Sequence, residues 1–130
     1  MKIENKIEYW LDIAEYDMET ARHMQARGRY LYTVFLCQQA LEKILKSLHI
    51  KKFGKESSYS HNLVYLQSNL ELDLSESQRK LLAVLTAFYI EGRYPSYKKK
   101  LSSLVDKAQS ATLLNKTEKL YQCLKSKLIS

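Results

Sequence analysis

Apolar residues along this chain return mainly every three or four positions, and that period dominates its pattern. That spacing is the repeat of an α-helix with one buried face, whereas strands facing a core need a period of two. Ile7, Leu11, Ala14, Met18 and Ala21 draw one stripe, with Ile3 and Trp10 widening it. Leu31, Val34, Phe35, Leu41, Ile44, Leu45 and Leu48 draw a second. A short third carries Leu63, Leu66 and Leu70, and a fourth carries Leu81, Leu82, Leu85, Phe88 and Tyr89. Leu114, Thr117, Tyr121, Leu124 and Leu128 make the last. The spacing predicts an all-α protein.

The residues between the stripes mark the helix ends. Glu4, Glu8 and Asp12 near the start of the first helix and Arg22 near its end suit the helix dipole. Gly28 is the expected stop, and the short link that follows makes the first two helices antiparallel neighbours. From Lys51 to Ser60 the chain is polar, with Gly54 inside, and reads as an exposed loop whose Ser60 caps the short helix. Ser75 and Gln78 form a capping box before the fourth stripe, and Asp106 with Gln109 forms a weaker one before the last. Gly92 is the expected stop of the fourth helix, and Pro95 blocks its simple continuation. These signals predict a four-helix up-and-down bundle with an additional short helix, in a single domain over residues 1–130. At 130 residues and 45% apolar content, the chain can build one core without staples.

Several classes are excluded on the same grounds. The longest apolar-rich stretch, Leu81 to Ile90, is half of the ~20 residues that a membrane span needs. Met1 to Asn5 contains no apolar signal segment. Two cysteines, Cys37 and Cys123, make no disulfide framework, so a reduced, cytoplasmic setting without membrane contact is expected. His23, His49 and His61 lack metal-ligand spacing with the cysteines or acids, so no metal is expected. Gly28, Gly54 and Gly92 cannot build a phosphate-cradling loop, and no cofactor is expected either.

The net charge of +7 is unevenly placed. Residues 1–92 balance 12 basic against 12 acidic side chains, while residues 93–130 hold 9 basic residues against Asp106 and Glu118. Such a segment either attracts phosphate-bearing partners or an acidic protein surface, or is a solvated basic helix face. Two stretches carry candidate chemistry: Gln38 to Lys46 within the second helix, and Glu91 to Tyr97 where the fourth helix ends.

With Trp10, Ala14, Asp17 and Ala21 in the first helix, Phe35 and Gln39-Ala40-x-Glu42-Lys43-x-x-Lys46 in the second, His61-x-Leu63-x-x-Leu66 after the loop, and Arg93-Tyr94-Pro95, the chain resembles the HEPN domains over nearly its whole length. The resemblance implies a four-helix bundle with an added short helix, paired as a homodimer. It further implies a separate minimal nucleotidyltransferase as partner, in some pairs as toxin and antitoxin, or else nucleotide binding. A ribonuclease branch of that family is marked by an Arg, four to six intervening residues, and a His. There Arg clamps the scissile phosphate while His moves a proton for the attacking ribose hydroxyl.

Arg93 matches the Arg of that motif, but the His would have to stand at 98, 99 or 100, which are all Lys. A lysine, protonated up to about pH 10.4, is a poor general base at neutral pH. The enzyme assignment is therefore left open and weighted toward no, and no catalytic residue is assigned. A phosphate clamp survives: Arg93, Lys98, Lys99 and Lys100, with Tyr94 or Tyr97 stacking a base, and Lys43 as a further cation. The alternatives are plain. Arg93 can cap its own helix, Lys43 and Lys46 can be surface partners of Glu42, and Gln38 and Gln39 can serve buried or interfacial hydrogen bonds. Gln39 and His61 stand as supporting residues, His61 being expected to be structural because no acid lies near it in sequence. The favoured expectation is a nucleotide- or RNA-phosphate-binding module working with a nucleotidyltransferase. A metal-independent ribonuclease with a non-standard proton carrier and a purely structural interaction protein are the rivals.

Overall fold

A computed structural model describes residues 2–93, 100 and 103–129. Five helices follow in order: α1 (Ile3–Ala26), α2 (Tyr30–Phe53), α3 (Leu63–Ser68), α4 (Glu76–Arg93) and α5 (Lys107–Ile129). The protein is all-α: four long helices and one short one, with no strand among the described residues. No described helix is long and apolar enough to cross a membrane.

Helix α2 is the hub, packing against each of the other four. A helix enclosed on several sides cannot restrict burial to one stripe, and α2 accordingly buries Thr33, Gln38, Glu42, Lys46 and Ser47 along with its apolar residues. Each of those polar groups then needs a partner. Ser47 Oγ donates to the Ile7 carbonyl of α1 at 2.9 Å, and Thr33 Oγ1 donates to the Arg29 carbonyl at 3.3 Å. The remaining three meet at one place, described below.

The stripes pack as their spacing predicts. Ala14, Met18, Ala21, Val34, Leu41, Ile44, Leu82, Leu85, Tyr121 and Leu124 belong to one hydrophobic cluster. Both capping boxes form reciprocally. Gln78 N–H donates to Ser75 Oγ (3.1 Å) and Ser75 N–H to Gln78 Oε1 (2.9 Å), while Gln109 N–H donates to Asp106 Oδ1 (2.7 Å) and Asp106 N–H to Gln109 Oε1 (3.0 Å). Gly28 follows the end of α1 with φ +76°, the left-handed conformation that a glycine adopts without strain. Ion pairs Arg22–Glu118 and Lys125–Glu15 tie α1 to α5.

Four local expectations need correction. Helix α2 runs three residues into the expected loop, to Phe53, and ends at Gly54, whose N–H donates to the Ile50 carbonyl at 2.8 Å. Asn62, not Ser60, caps α3, because its side-chain oxygen accepts from the Val64 and Tyr65 N–H groups. Gly92 does not stop α4, which continues through Arg93. It is buried where a Cβ would overlap the Phe35 ring, so close approach of α4 to α2 accounts for this glycine. Ile3 stays exposed, being at the first position of the helix and beyond the neighbours that cover Ile7.

Candidate functional site

Glu42 lies midway along α2 at 1% exposure. An ionised carboxylate that deep is tolerated only when its oxygens are paired and hydrogen-bonded. Here both oxygens are occupied. Lys43 Nζ and Lys46 Nζ each donate to Oε2 at 3.0 Å, and Gln38 Nε2 donates to Oε1 at 3.1 Å. His61 Nδ1 also reaches Oε1, at 2.8 Å. Burial pushes the Glu42 carboxyl up, but the His61 hydrogen bond and the two ammonium charges outweigh it and hold it down at about 2.

This settles the chemistry of His61. An ionised carboxylate only accepts, so Nδ1 must carry the proton and donate it. Nε2 is then the ring nitrogen left for other work. The same Gln38 Nε2 donates to the His61 carbonyl at 2.8 Å, pinning the loop to α2. From the other side, the Leu63 N–H donates to Thr86 Oγ1 of α4 at 3.2 Å. The loop is thus tied to two helices, and the His61 ring lies against Tyr89 of α4, centroid to centroid 5.6 Å.

Tyr89 links the buried carboxylate to the surface. Its hydroxyl accepts from Arg93 Nη1 at 2.9 Å, one helical turn further on, and the guanidinium stands 5.6 Å from the ring centroid. His61, Asn62, Thr86, Tyr89, Ile90 and Arg93 line a cavity of about 140 Å³. The His61 side chain remains 38% exposed and Arg93 is exposed, so both can meet a ligand there. On the α1 side, Lys46 Nζ sits between the rings of Trp10 (5.4 Å) and Tyr59 (5.6 Å), and Lys43 Nζ is 5.5 Å from Trp10. Nearby Asp17 is pushed upward by burial and by Glu42, with Lys43 opposing, and its Oδ2 is buried without a partner among the described residues.

The structure thus brings together Arg93, His61, Lys43 and Lys46, though not all in one cavity. Lys43 is engaged with Glu42, away from the Arg93 pocket, and Lys46 is buried there too, not a surface pair. His61 does have an acid partner, contrary to expectation, because the loop returns it over Glu42, nineteen residues earlier in sequence. Gln38 makes the buried hydrogen bonds. Gln39 is half-buried and makes none among the described residues. Arg93 reaches Tyr89 and not the terminal carbonyls of α4. Lys100 is exposed and lines a different cleft, of about 500 Å³, with Arg29, Tyr30 and Tyr32. Tyr94, Tyr97, Lys98 and Lys99, with Pro95, lie outside the described residues. The missed Glu42–His61 pair had one signal: Gln38, Glu42 and Lys46 recur at i, i+4 between apolar core positions, and a polar face there demands a partner from another segment. Cys37 is buried, which pushes its thiol up to about 12 and makes it unreactive, while Cys123 is half-buried. No group of three or more His, Cys, Asp or Glu gathers among the described residues.

Fold and site together define a helical bundle whose central helix carries a buried carboxylate coupled through an imidazole to a surface arginine. The HEPN domain model matches residues 7–127, and the chain belongs to the HEPN domain family. Its fold is shared with TT1696 from Thermus thermophilus, at TM-score 0.80 and 22% identity over 95% of this chain and 98% of that one. ST0689, an archaeal HEPN homologue, superposes at TM-score 0.75 with 24% identity over 94% and 97% of the two chains. A HEPN domain protein (TM0613) from Thermotoga maritima gives 0.70 and 22%, over 92% and 97%. No curated protein matches the chain.

Proposed function

We propose that the chain binds a phosphate-bearing ligand, a nucleotide or an RNA phosphate, in the cleft between the His61 loop and α4. The observation that carries this reading is Arg93: an exposed guanidinium with no carboxylate partner among the described residues, aligned by Tyr89 at the mouth of a cavity. A guanidinium in that state keeps donors free for a phosphate, and the Tyr89 and His61 rings supply faces for a base. Tyr94, Tyr97, Lys98 and Lys99 follow Arg93 in sequence and add positive and aromatic residues to that stretch of the chain. In the wider reading, one that rests on family resemblance, the chain is a cytoplasmic homodimer of single-domain subunits. It partners a minimal nucleotidyltransferase in a toxin–antitoxin-like pair. Titration of ATP, GTP and a short RNA at several salt concentrations tests the ligand: affinity should fall as salt rises, and by tenfold or more in Arg93→Ala. No binding at low salt would leave an interaction protein. A reading frame beside the gene with a Gly-Ser and paired-Asp signature, whose product co-purifies with this chain, tests the partner.

The Glu42–His61 pair favours a second reading, metal-independent RNA cleavage with His61 as the proton carrier. In that step Nε2 takes the 2′-hydroxyl proton as the oxygen bonds phosphorus, and the 5′-oxygen leaves with a proton from water. Glu42 holds the tautomer and stabilises the imidazolium. Cleavage of RNA in a chelator, lost in both His61→Gln and Arg93→Ala, would establish it; ligand binding without cleavage leaves the module reading.

A further inference from the structure

Helices α4 and α5 face one another across an open groove of about 610 Å³, lined by none of the residues around His61. Its floor is apolar: Leu81 and Val84 from α4 and Leu113 from α5. A smaller hollow of about 170 Å³ shares Leu81 and Lys116 with it and continues it past Lys119. The rims carry Lys80, Lys116 and Lys119, all exposed and none in an ion pair among the described residues, against a single acid, Glu76, at the start of α4, so the rim is cationic on balance. The one carboxylate on this stretch of α5, Glu118, is turned away and taken by Arg22 of α1.

We infer that this groove docks an acidic amphipathic helix of a partner protein. Residues 77, 81 and 84 of α4 and 113, 116 and 120 of α5 step by three and four, so each set lies along one face of its helix. The two faces flank a channel about two turns long (~10 Å). Apolar floor with cationic rims is the complement of a helix with a Leu-type stripe flanked by Asp or Glu. Nucleic acid fits poorly, since the floor offers no aromatic ring to stack a base and no arginine to clamp a phosphate. A small molecule fits poorly as well, because no buried polar side chain is aimed into the groove to orient it. A two-fold contact with a second copy would bring together two rims that each carry three lysines against one glutamate, a net repulsion.

The test uses a fluorescein-labelled synthetic helical peptide of about fourteen residues, four turns, with leucines at i, i+3, i+7 and i+10 and glutamates flanking them. A scrambled peptide and a lysine-flanked version serve as controls. Anisotropy titrations should show saturable binding of the acidic peptide at least tenfold tighter than either control. The double variant Lys116→Glu/Lys119→Glu, with an unchanged helical spectrum, should weaken it tenfold or more. Val84→Asn, which makes the floor polar and keeps the charge, should weaken it as well. Equal affinity for the scrambled peptide, or indifference to both variants, would overturn the proposal. So would wild-type self-association in sedimentation that the charge-reversal variant alters, because the groove would then hold a second copy.

Discussion

Two sets of lysines on this molecule are opposites in every respect except their side chain. Lys43 and Lys46 sit at the junction of α1, α2 and the His61 loop, pressed on Trp10 and paired to a buried carboxylate. Lys80, Lys116 and Lys119 stand in water along the α4–α5 groove, and none is in an ion pair among the described residues, although Glu76 shares the rim. Out of water a charge must be matched, and the match fixes the geometry of everything that supplies it. In water it can stay unmatched at little cost, and it is then available to something outside the chain. The first set therefore builds the site, and the second advertises a surface.

The contrast can be broken most forcefully at Glu42. Glu42→Gln leaves two ammonium groups and an imidazole around a neutral amide, and urea unfolding should show a loss of about 3–5 kcal/mol. Replacing Glu42, Lys43 and Lys46 together by Leu, Met and Met should recover most of that loss, since the desolvation cost disappears with the charges. If the single substitution proves harmless, the cluster is not what orders the His61 loop.

Acid should produce the next largest effect. The Glu42 carboxyl is held below its ordinary value of 4.5, at about 2, so its stabilising contribution is complete above pH 4.5 and is lost as pH falls toward 2. The window is worth roughly 3 kcal/mol. Asp17 acts oppositely: its carboxyl is raised, so the folded state gains as it protonates, which blunts the decline. Unfolding free energies measured between pH 5 and 2 should fall for the wild type and stay flatter for Glu42→Gln.

Lys46→Met sharpens the comparison at a single position. It keeps the packing on Trp10 and Tyr59 but removes one of two cations on Oε2, so a loss of about 1–3 kcal/mol is expected by chemical denaturation. The Glu42 carboxyl should move upward at the same time, read by carboxyl carbon chemical shifts against pH. The matched change in the exposed set, Lys116→Met, should alter stability by no more than about 0.5 kcal/mol. An equal effect at the two positions would erase the distinction.

How far the sequence could be read follows the range of the forces involved. The capping boxes at Ser75–Gln78 and Asp106–Gln109 close over three residues, and the stripe from Ile7 to Ala21 is one helix's own geometry, so both were legible. Asn62 took the cap from Ser60 because the hydrogen bonds of Gln38 and Thr86 decide where the loop turns into α3. Gly92 read as a stop because its reason, the Phe35 ring, belongs to another helix. Of the candidate site, Arg93 was visible from its match to the family's motif and its place where the fourth helix ends, while the acid behind His61 was not.

By itself the amino-acid order determined that the chain is helical, where α1 stops and where α4 and α5 start, and that its excess charge is gathered beyond residue 92. Those properties depend on neighbours within a turn or two along the chain. Only the tertiary structure decided that Glu42 is ionised inside the bundle, that His61 keeps one nitrogen free of that carboxylate beside Arg93, and that Lys80, Lys116 and Lys119 have no acid partner among the described residues. Each of those outcomes depends on which distant residue water is excluded with, and burial is a property of the packed whole.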